Sequence, residues 1–596
     1  MLHYPPMKNR RKSTEMIQSW GGLNEEKWPA ENEFADMRKM TGEHYPLAAS
    51  LPGVGYEYVA PAALQGMLGG DAIAYVAGGT LYLPSWEEGV VERYTATKLN
   101  TLNPEGEKQM VWMGANILIW PDKMWYNTAD HTFGSMESRI EGTSEGTVGW
   151  YPCESDGTIR VPTQVGTEAP EVDASTGEIV WLDTSGETPV LKVWEGKSQY
   201  WRSVTDPCIM LYMADGEVGA MPFEEGDTVT IYWPAKPEFD GNHILRKVED
   251  ARVMISNTLP GTTGYEWTDE TSASFSMART VPEMDFVTQA QNRIWGCRYG
   301  ETDEGIVNEL YCCKLGDFKN WNTFAGISTD AWRGSRGIGG AWTGAATVGN
   351  YPVFFKAGHL EKVYISSSGA HQVVTMDCQG CTDHKSLAVV DGVLYYKYKN
   401  EVYAYDGDQP ELVSGHVHSL PEDSGCPGCG WNHKYYLGSP EGQVYTLDTR
   451  RGLWHKGETL GRKVQFIVAT PEEIRFGASV GTTAAMTYYP ALADDGESWM
   501  LQSGPMGYSR PDRKYVSRLQ LRMSIQEGGY GDLYIRYDSG REWELVGHIT
   551  GTDLVHTALV AVRPRRCDHF ELKMEGKGEF RLYSLTKQLE EGGDTP

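Results

Sequence analysis

The sequence predicts an all-β protein: a β-propeller of about six or seven blades, with an inserted β-domain and a C-terminal β-sandwich. Three observations predict this. A pair of strands recurs about every forty residues, the composition is rich in aromatics and glycine, and the apolar–polar pattern becomes strictly alternating beyond residue 490. At 596 residues the chain is too long for one hydrophobic core. Its 20 Trp, 33 Tyr and 68 Gly favour twisted strands joined by tight turns over helices.

The repeat is clearest between residues 353 and 448. Val353-Phe354-Phe355 precedes Val363-Tyr364-Ile365, Leu394-Tyr395-Tyr396 precedes Val402-Tyr403-Ala404-Tyr405-Asp406, and Lys434-Tyr435-Tyr436 precedes Val444-Tyr445-Thr446-Leu447-Asp448. The Val-Tyr elements are spaced by 39 and 42 residues, and the short links Lys399-Asn400 and Pro440-Glu441-Gly442 read as hairpin turns. Ile73–Val76 with Leu81–Leu83 matches Ile117–Trp120 with Met124–Tyr126, at offsets of 44 and 43. Ile294-Trp295 with Leu310-Tyr311 fits as a further unit if the acidic stretch 301–308 is a loop. Such a repeat buries each hairpin face on the next and leaves no long open edge, which a two-sheet sandwich with fortuitous spacing does not explain as well.

Five segments follow. Residues 1–60 form an N-terminal extension, and 61–137 the first propeller blades. The repeat stops after Phe133, and 138–256 carry strand-like runs of their own (Ile179–Trp181, Val190–Trp194, Ile209–Tyr212, Thr228–Trp233), which predicts an inserted β-domain. Residues 257–490 resume the propeller. Residues 491–596 form the sandwich, because Leu519–Met523, Leu533–Tyr537 and Phe570–Met574 place one face inward and one in water.

Acidic residues exceed basic ones by 28, which excludes wrapping nucleic acid by phosphate neutralisation. Acidity suits a wall past which DNA slides without sticking, or serves solubility alone. The basic N-terminus lacks the apolar run of a signal peptide, and no stretch approaches the ~20 apolar residues of a membrane span. Ten Cys without dense pairing point to synthesis in a reducing cytoplasm.

The blade region resembles bacteriophage tail hub or nozzle proteins, the family also called stabilisation proteins. The resemblance rests on Gln291–Cys297, Leu310-Tyr311, Lys314–Phe318 with Trp321-Asn322, Phe354–Lys356, His384–Val390 and Tyr403–Gly407. Gly21–Asn24, Glu33–Met37 and Asp512–Leu519 add to it. It implies a structural virion protein of the tail, made in the host bacterial cytoplasm. It further implies a homo-oligomeric ring, sixfold in short-tailed phages, below the portal and adaptor. Such a ring encloses the DNA exit channel without specific DNA binding and offers attachment to tail fibres or the tip.

Motifs for chemistry yield little. Cys378, Cys381, Cys426 and Cys429 form two CxxC pairs on consecutive blades and are candidates for a structural zinc site, with His384 and His433 as spare ligands. The alternative is small buried thiols. Cys312-Cys313 reads as neighbours pointing to opposite faces of a strand. Gly142–Gly146 fits G-x-S-x-G without the strand and helix a nucleophile elbow needs, and Gly196-Lys197-Ser198 lacks the rest of a P-loop. A propeller glycoside hydrolase needs two flanking carboxylates; Asp330 beside Trp332 has no evident partner and reads as a turn residue. No catalytic residue and no cofactor other than zinc is expected, and the chain is not read as an enzyme. The remaining alternative is a host-surface glycan or receptor binder using the tryptophans of the insert, Trp181 and Trp194 among them. His416 and His418 fall in an expected loop and read as solvated.

Overall fold

A computed structural model describes residues 12–591 apart from 52–54, 86–92, 144–145, 174, 215–220, 258, 260–269, 272–273, 303–304, 323–326, 367–368, 423, 460–462, 481–482, 490–497 and 509–512. Seven antiparallel four-stranded sheets form the blades of a β-propeller. Blade 1 comprises Leu64–Leu68, Ala74–Ala77, Thr80–Ser85 and Arg93–Ala96. Blade 2 comprises Gln109–Met113, Asn116–Trp120, Met124–Asn127 and Phe133–Ser135. Blade 3 comprises Phe286–Ala290, Arg293–Thr302, Gly305–Cys312 and Trp332–Ser335. Blade 4 comprises Gly344–Val348, Tyr351–Lys356, His359–Ile365 and His371–Asp377. Blade 5 comprises Ala388–Val390, Val393–Tyr398, Glu401–Tyr405 and Glu411–Leu412, and blade 6 Gly428–Trp431, Lys434–Gly438, Gln443–Asp448 and Leu453–Thr459. Blade 7 takes Phe466–Ala469, Ile474–Val480 and Thr483–Tyr489, then borrows its fourth strand, Gly55–Ala60, from far upstream.

The middle hairpin of blades 1 to 6 is the recurring pair seen in the sequence. The acidic stretch 301–308, expected as a loop, instead lengthens the hairpin of blade 3, with Glu301 opposite Ile306. Alternating polar and β-prone residues (Arg298, Tyr299, Ile306, Val307) let the strands run on until Gly305, whose φ of 109° suits the turn.

The chain divides into two compact units. The first spans Met1–Met110, Trp342–Lys362 and Val374–Pro596. In it the first strands of blades 4, 5, 6, 7 and 1 follow one another as neighbours. The aromatics of the repeat pack from blade to blade: Phe355 lies tilted 5.0 Å from Tyr396, and Tyr395 stacks 5.5 Å from Tyr435.

The same unit holds the sandwich. One sheet orders Met40–Thr41, Ala48–Ser50, Phe580–Glu591, Lys514–Ile525 and His556–Ala561, with Lys12–Ile17 also paired to Phe580–Glu591. The other orders Phe34–Arg38, Trp499–Ser503, Phe570–Lys577, Tyr530–Tyr537 and Glu544–Thr550. Residues 12–60, set apart by the sequence as an extension, therefore supply strands to both sheets and to blade 7. Their partners lie more than 400 residues away, and strands of two to six residues carry too little periodicity to reveal them.

The second unit spans Val111–Ala341 and Val363–Val373. It contains the insert, in which an eight-stranded sheet packs with a four-stranded one around Val148, Leu182, Leu191, Ile231, Trp233 and Phe239. The sheet takes in Glu270–Thr271 and Ser276–Arg279, beyond the residue 256 at which the sequence reading ends the insert. Ser138 pairs with Arg279, so the segment leaves and returns through one antiparallel stalk. Asp227 and Arg279 form a buried ion pair there, and Arg279 also donates to the Met136 carbonyl at 3.0 Å.

Candidate functional site

The two CxxC pairs are the first candidates, and their four thiols spread through three cores. Cys378 and Cys381 pack with Phe355, Tyr396 and Tyr405 of blades 4 and 5. Cys426 joins the core that runs from blades 5 and 6 into the sandwich, and Cys429 packs with Tyr436, Val464 and Ile467 of blades 6 and 7. Burial pushes Cys378 up to about 11 and Cys381 and Cys429 up to about 12, far from the depressed range of a reactive thiolate. Among the described residues no group of three or more His, Cys, Asp or Glu is gathered as metal ligands would be.

The C-P-G-C-G motif has a packing explanation. A side chain at Gly428 would run into the Ser386 carbonyl just ahead of blade 5, and one at Gly430 into the Val389 carbonyl of blade 5, while Cys429 turns the other way into the blade 6–7 core. Small residues on one face let neighbouring first strands close up. The spare ligands are dispersed as well. His384 is buried, which holds it down at about 4, whereas the half-buried His433 meets Asp391 at 2.8 Å.

Asp330 is a turn residue: its carboxylate accepts from the Ile327 N–H at 3.1 Å, and its carbonyl accepts from buried Arg293 at 2.5 Å. Ser144 and Glu145 of the G-x-S-x-G match lie outside the described residues. Gly196-Lys197-Ser198 forms the turn between Val190–Glu195 and Tyr200–Ser203. In the insert, Val180, Leu182, Leu191 and Val193 face the core, so Trp181 and Trp194 lie on the opposite face, each about 5.5 Å from Trp201. Trp181 and Trp194 remain 5% and 8% exposed, too covered for an open sugar platform. His418 is exposed as expected, but the backbone of its loop is tied to Glu25, which accepts from the His418 and Ser419 N–H groups at 2.6 Å.

The sequence did not single out a polar pocket bounded by first strands of the blades in the first unit. A hollow of about 340 Å³ is lined by Leu64 and Gln65 of blade 1, Gln465 and Phe466 at the start of blade 7, Lys385 ahead of blade 5, and Glu107. Lys385 bridges it: Nζ meets Glu107 at 2.7 Å, donates to the Gln465 carbonyl at 3.4 Å and lies 4.5 Å over the Phe466 ring. Lys385 is aimed there by a single 3-10 turn, His384–Ser386, which Asp383 caps. Glu107 is the single acid lining the pocket, and it is already paired. This arrangement braces the inner strands; two-carboxylate sugar chemistry would need a second acid across the opening.

No family model matches the chain, and no curated protein does. Solved structures do. The computationally designed Ika8 protein aligns over 72% of this chain and 99% of its own, at 11% identity and a TM-score of 0.33. BamB from Moraxella catarrhalis aligns over 74% and 98%, at 8% and 0.32, and Sqt1 from Saccharomyces cerevisiae over 73% and 98%, at 11% and 0.30. The propeller assignment rests on the seven blades themselves. Among the described residues, no helix is long and apolar enough to cross a membrane.

Proposed function

We propose that this chain is a structural protein of a bacteriophage tail, a hub or nozzle subunit that forms a ring around the DNA exit channel and holds fibres or tip. The observation that carries the reading is where the family-like motifs fall: on the joints of the scaffold. Gly22 passes so close to the Trp454 carbonyl of blade 6 that no side chain fits, and Leu23 N–H donates to that carbonyl at 2.6 Å. Arg293 is 2% exposed and spends its guanidinium on the carbonyls of Cys313, Ser328 and Asp330. The Lys314–Asn322 stretch folds on itself, with Trp321 donating to the Phe318 carbonyl at 2.8 Å, and offers Asn320 to the Thr228 N–H of the insert at 2.7 Å. Residues placed at such joints serve rigidity, and the net charge of −28 suits a surface that DNA passes.

Native mass spectrometry of the full chain, with imaging of the assembled particle, tests this. A sixfold ring below the portal is expected; a monomer in solution together with its absence from the particle overturns the reading.

A further inference from the structure

The geometry points to a soft-metal site in the insert, where Cys153, Cys208, Met210 and Met254 hold one monovalent copper ion. These four side chains form a buried cluster of their own, 0–2% exposed, and every one of them carries sulfur. The strand register explains why they meet. Cys153, the last residue of Thr147–Cys153, lies directly opposite Cys208, the first of Cys208–Ala214. Met210 lies directly opposite Met254 of Arg252–Ile255. Cys208 and Met210 are two residues apart on one strand, so all four side chains share one face of the eight-stranded sheet. Their neighbours Ile209, Leu211, Val253 and Ile255 take the other face and fill the main core of the insert. The sulfurs are set apart from that core.

Residues opposite one another on antiparallel strands bring their Cβ atoms within about 4.5–5.5 Å, and methionine adds a flexible stem. Two thiols and two thioethers so placed can close on one ion. Thioethers are foreign to the zinc set of Cys, His, Asp and Glu, whereas thiolate with thioether suits monovalent copper. The surroundings are ordered. Beyond Cys153 the chain turns back to bridge through Ile159, and Glu154 holds Arg160 at 2.6 Å and Arg202 at 2.9 Å. Tyr151, opposite Met210, stacks on Tyr212 at 5.0 Å, and only a glycine at 149 leaves room for the Tyr212 ring. Charge also balances. Burial keeps both thiols protonated, so two S–H bonds break and two protons leave for solvent as copper(I) enters, its oxidation state unchanged. The loaded site carries one net negative charge. Lys247 acts on Cys153 and Arg246 on Cys208 as the nearby cations, opposed by Asp156 and Asp206.

Copper retention tests the site. The full chain, reduced and kept free of oxygen, is loaded with copper(I), challenged with the chelator bicinchoninate and passed through a desalting column. One ion per chain is expected to stay, with an X-ray absorption shell of sulfur alone. Cys153→Ser is expected to lose that ion. Met210→Leu combined with Met254→Leu keeps the packed volume, so the metal-free variant should melt as the parent does. It is expected to yield its copper to about tenfold less chelator. Retention unchanged by the methionine pair would mean that other cysteines hold the copper, and it overturns the site. No retention by the parent chain, or a shell containing nitrogen or oxygen, overturns it equally.

Discussion

Two β-domains depend on this propeller, and they are built into the chain in opposite ways. The insert is continuous: it leaves after Glu137 and returns by Val281, whose N–H donates to the Glu137 carboxylate at 3.0 Å. The sandwich is discontinuous, its sheets woven from residues 12–50 and 499–591 and held by buried lysines. Lys587, 0% exposed, joins Glu15 to Glu31, and Lys456 of blade 6 reaches Glu25 at 2.7 Å and Asp36 at 3.0 Å. A domain entered and left through one stalk is separable from its host. One knotted from both ends ties chain continuity to the stability of the whole.

The largest expected effect follows from breaking that knot. Deleting residues 12–50 removes strands from both sheets and uncovers the Trp499 and Trp454 cores, so the chain should aggregate and lose its near-ultraviolet dichroism. A monodisperse product with a native spectrum would put the two domains on an equal footing. Next is Lys587→Met, which takes the shared cation from the half-buried Glu15 and Glu31 carboxylates and should cost about 1–3 kcal/mol in urea denaturation.

A pH dependence ranks third. His455 of blade 6 lies against Gly42 of the N-terminal segment. Burial, and then the charge of Lys434, hold it down at about 4. Its folded value lies below the unfolded value of 6.5, so the stability it contributes is complete above that value and is lost as pH falls from 6.5 towards 4. Melting temperatures over that window should drop, and His455→Phe should flatten the slope. An unchanged slope would deny the histidine this role. The smallest effect should come from replacing residues 138–279 with a short glycine–serine linker. The remaining chain should melt within about 1 kcal/mol of the parent, as for other excisions at one stalk.

What was legible in the sequence followed from local repetition. Six middle hairpins announced themselves because each supplies both its strands and their aromatic faces within one short stretch, from Ala74–Ser85 in blade 1 to Arg293–Cys312 in blade 3. Blade 7 did not, since Ile474–Val480 and Thr483–Tyr489 lack the Val-Tyr pair and the closing strand lies at residues 55–60. The alternation of Lys514–Ile525 disclosed a half-buried strand, yet nothing in it named Lys12–Ile17 as a sheet partner. The C-P-G-C-G spacing is open to two readings, because glycines required by close strand approach mimic the spacing of a metal knuckle. Lys385 was invisible for the opposite reason: its partners Glu107 and Gln465 come from separate blades.

The borrowed strand of blade 7 also has a consequence in time. Gly55–Ala60 leaves the ribosome early, but Thr483–Tyr489 emerges more than 400 residues later. At ~5–20 residues per second its hydrogen-bonding edge waits tens of seconds for a mate. During that interval the nascent chain exposes a lone strand that neighbouring nascent copies can capture, and blade 7 is completed only by a pairing across more than 400 residues. Synthesis order, rather than final stability, then decides how much of the chain is lost to mispairing.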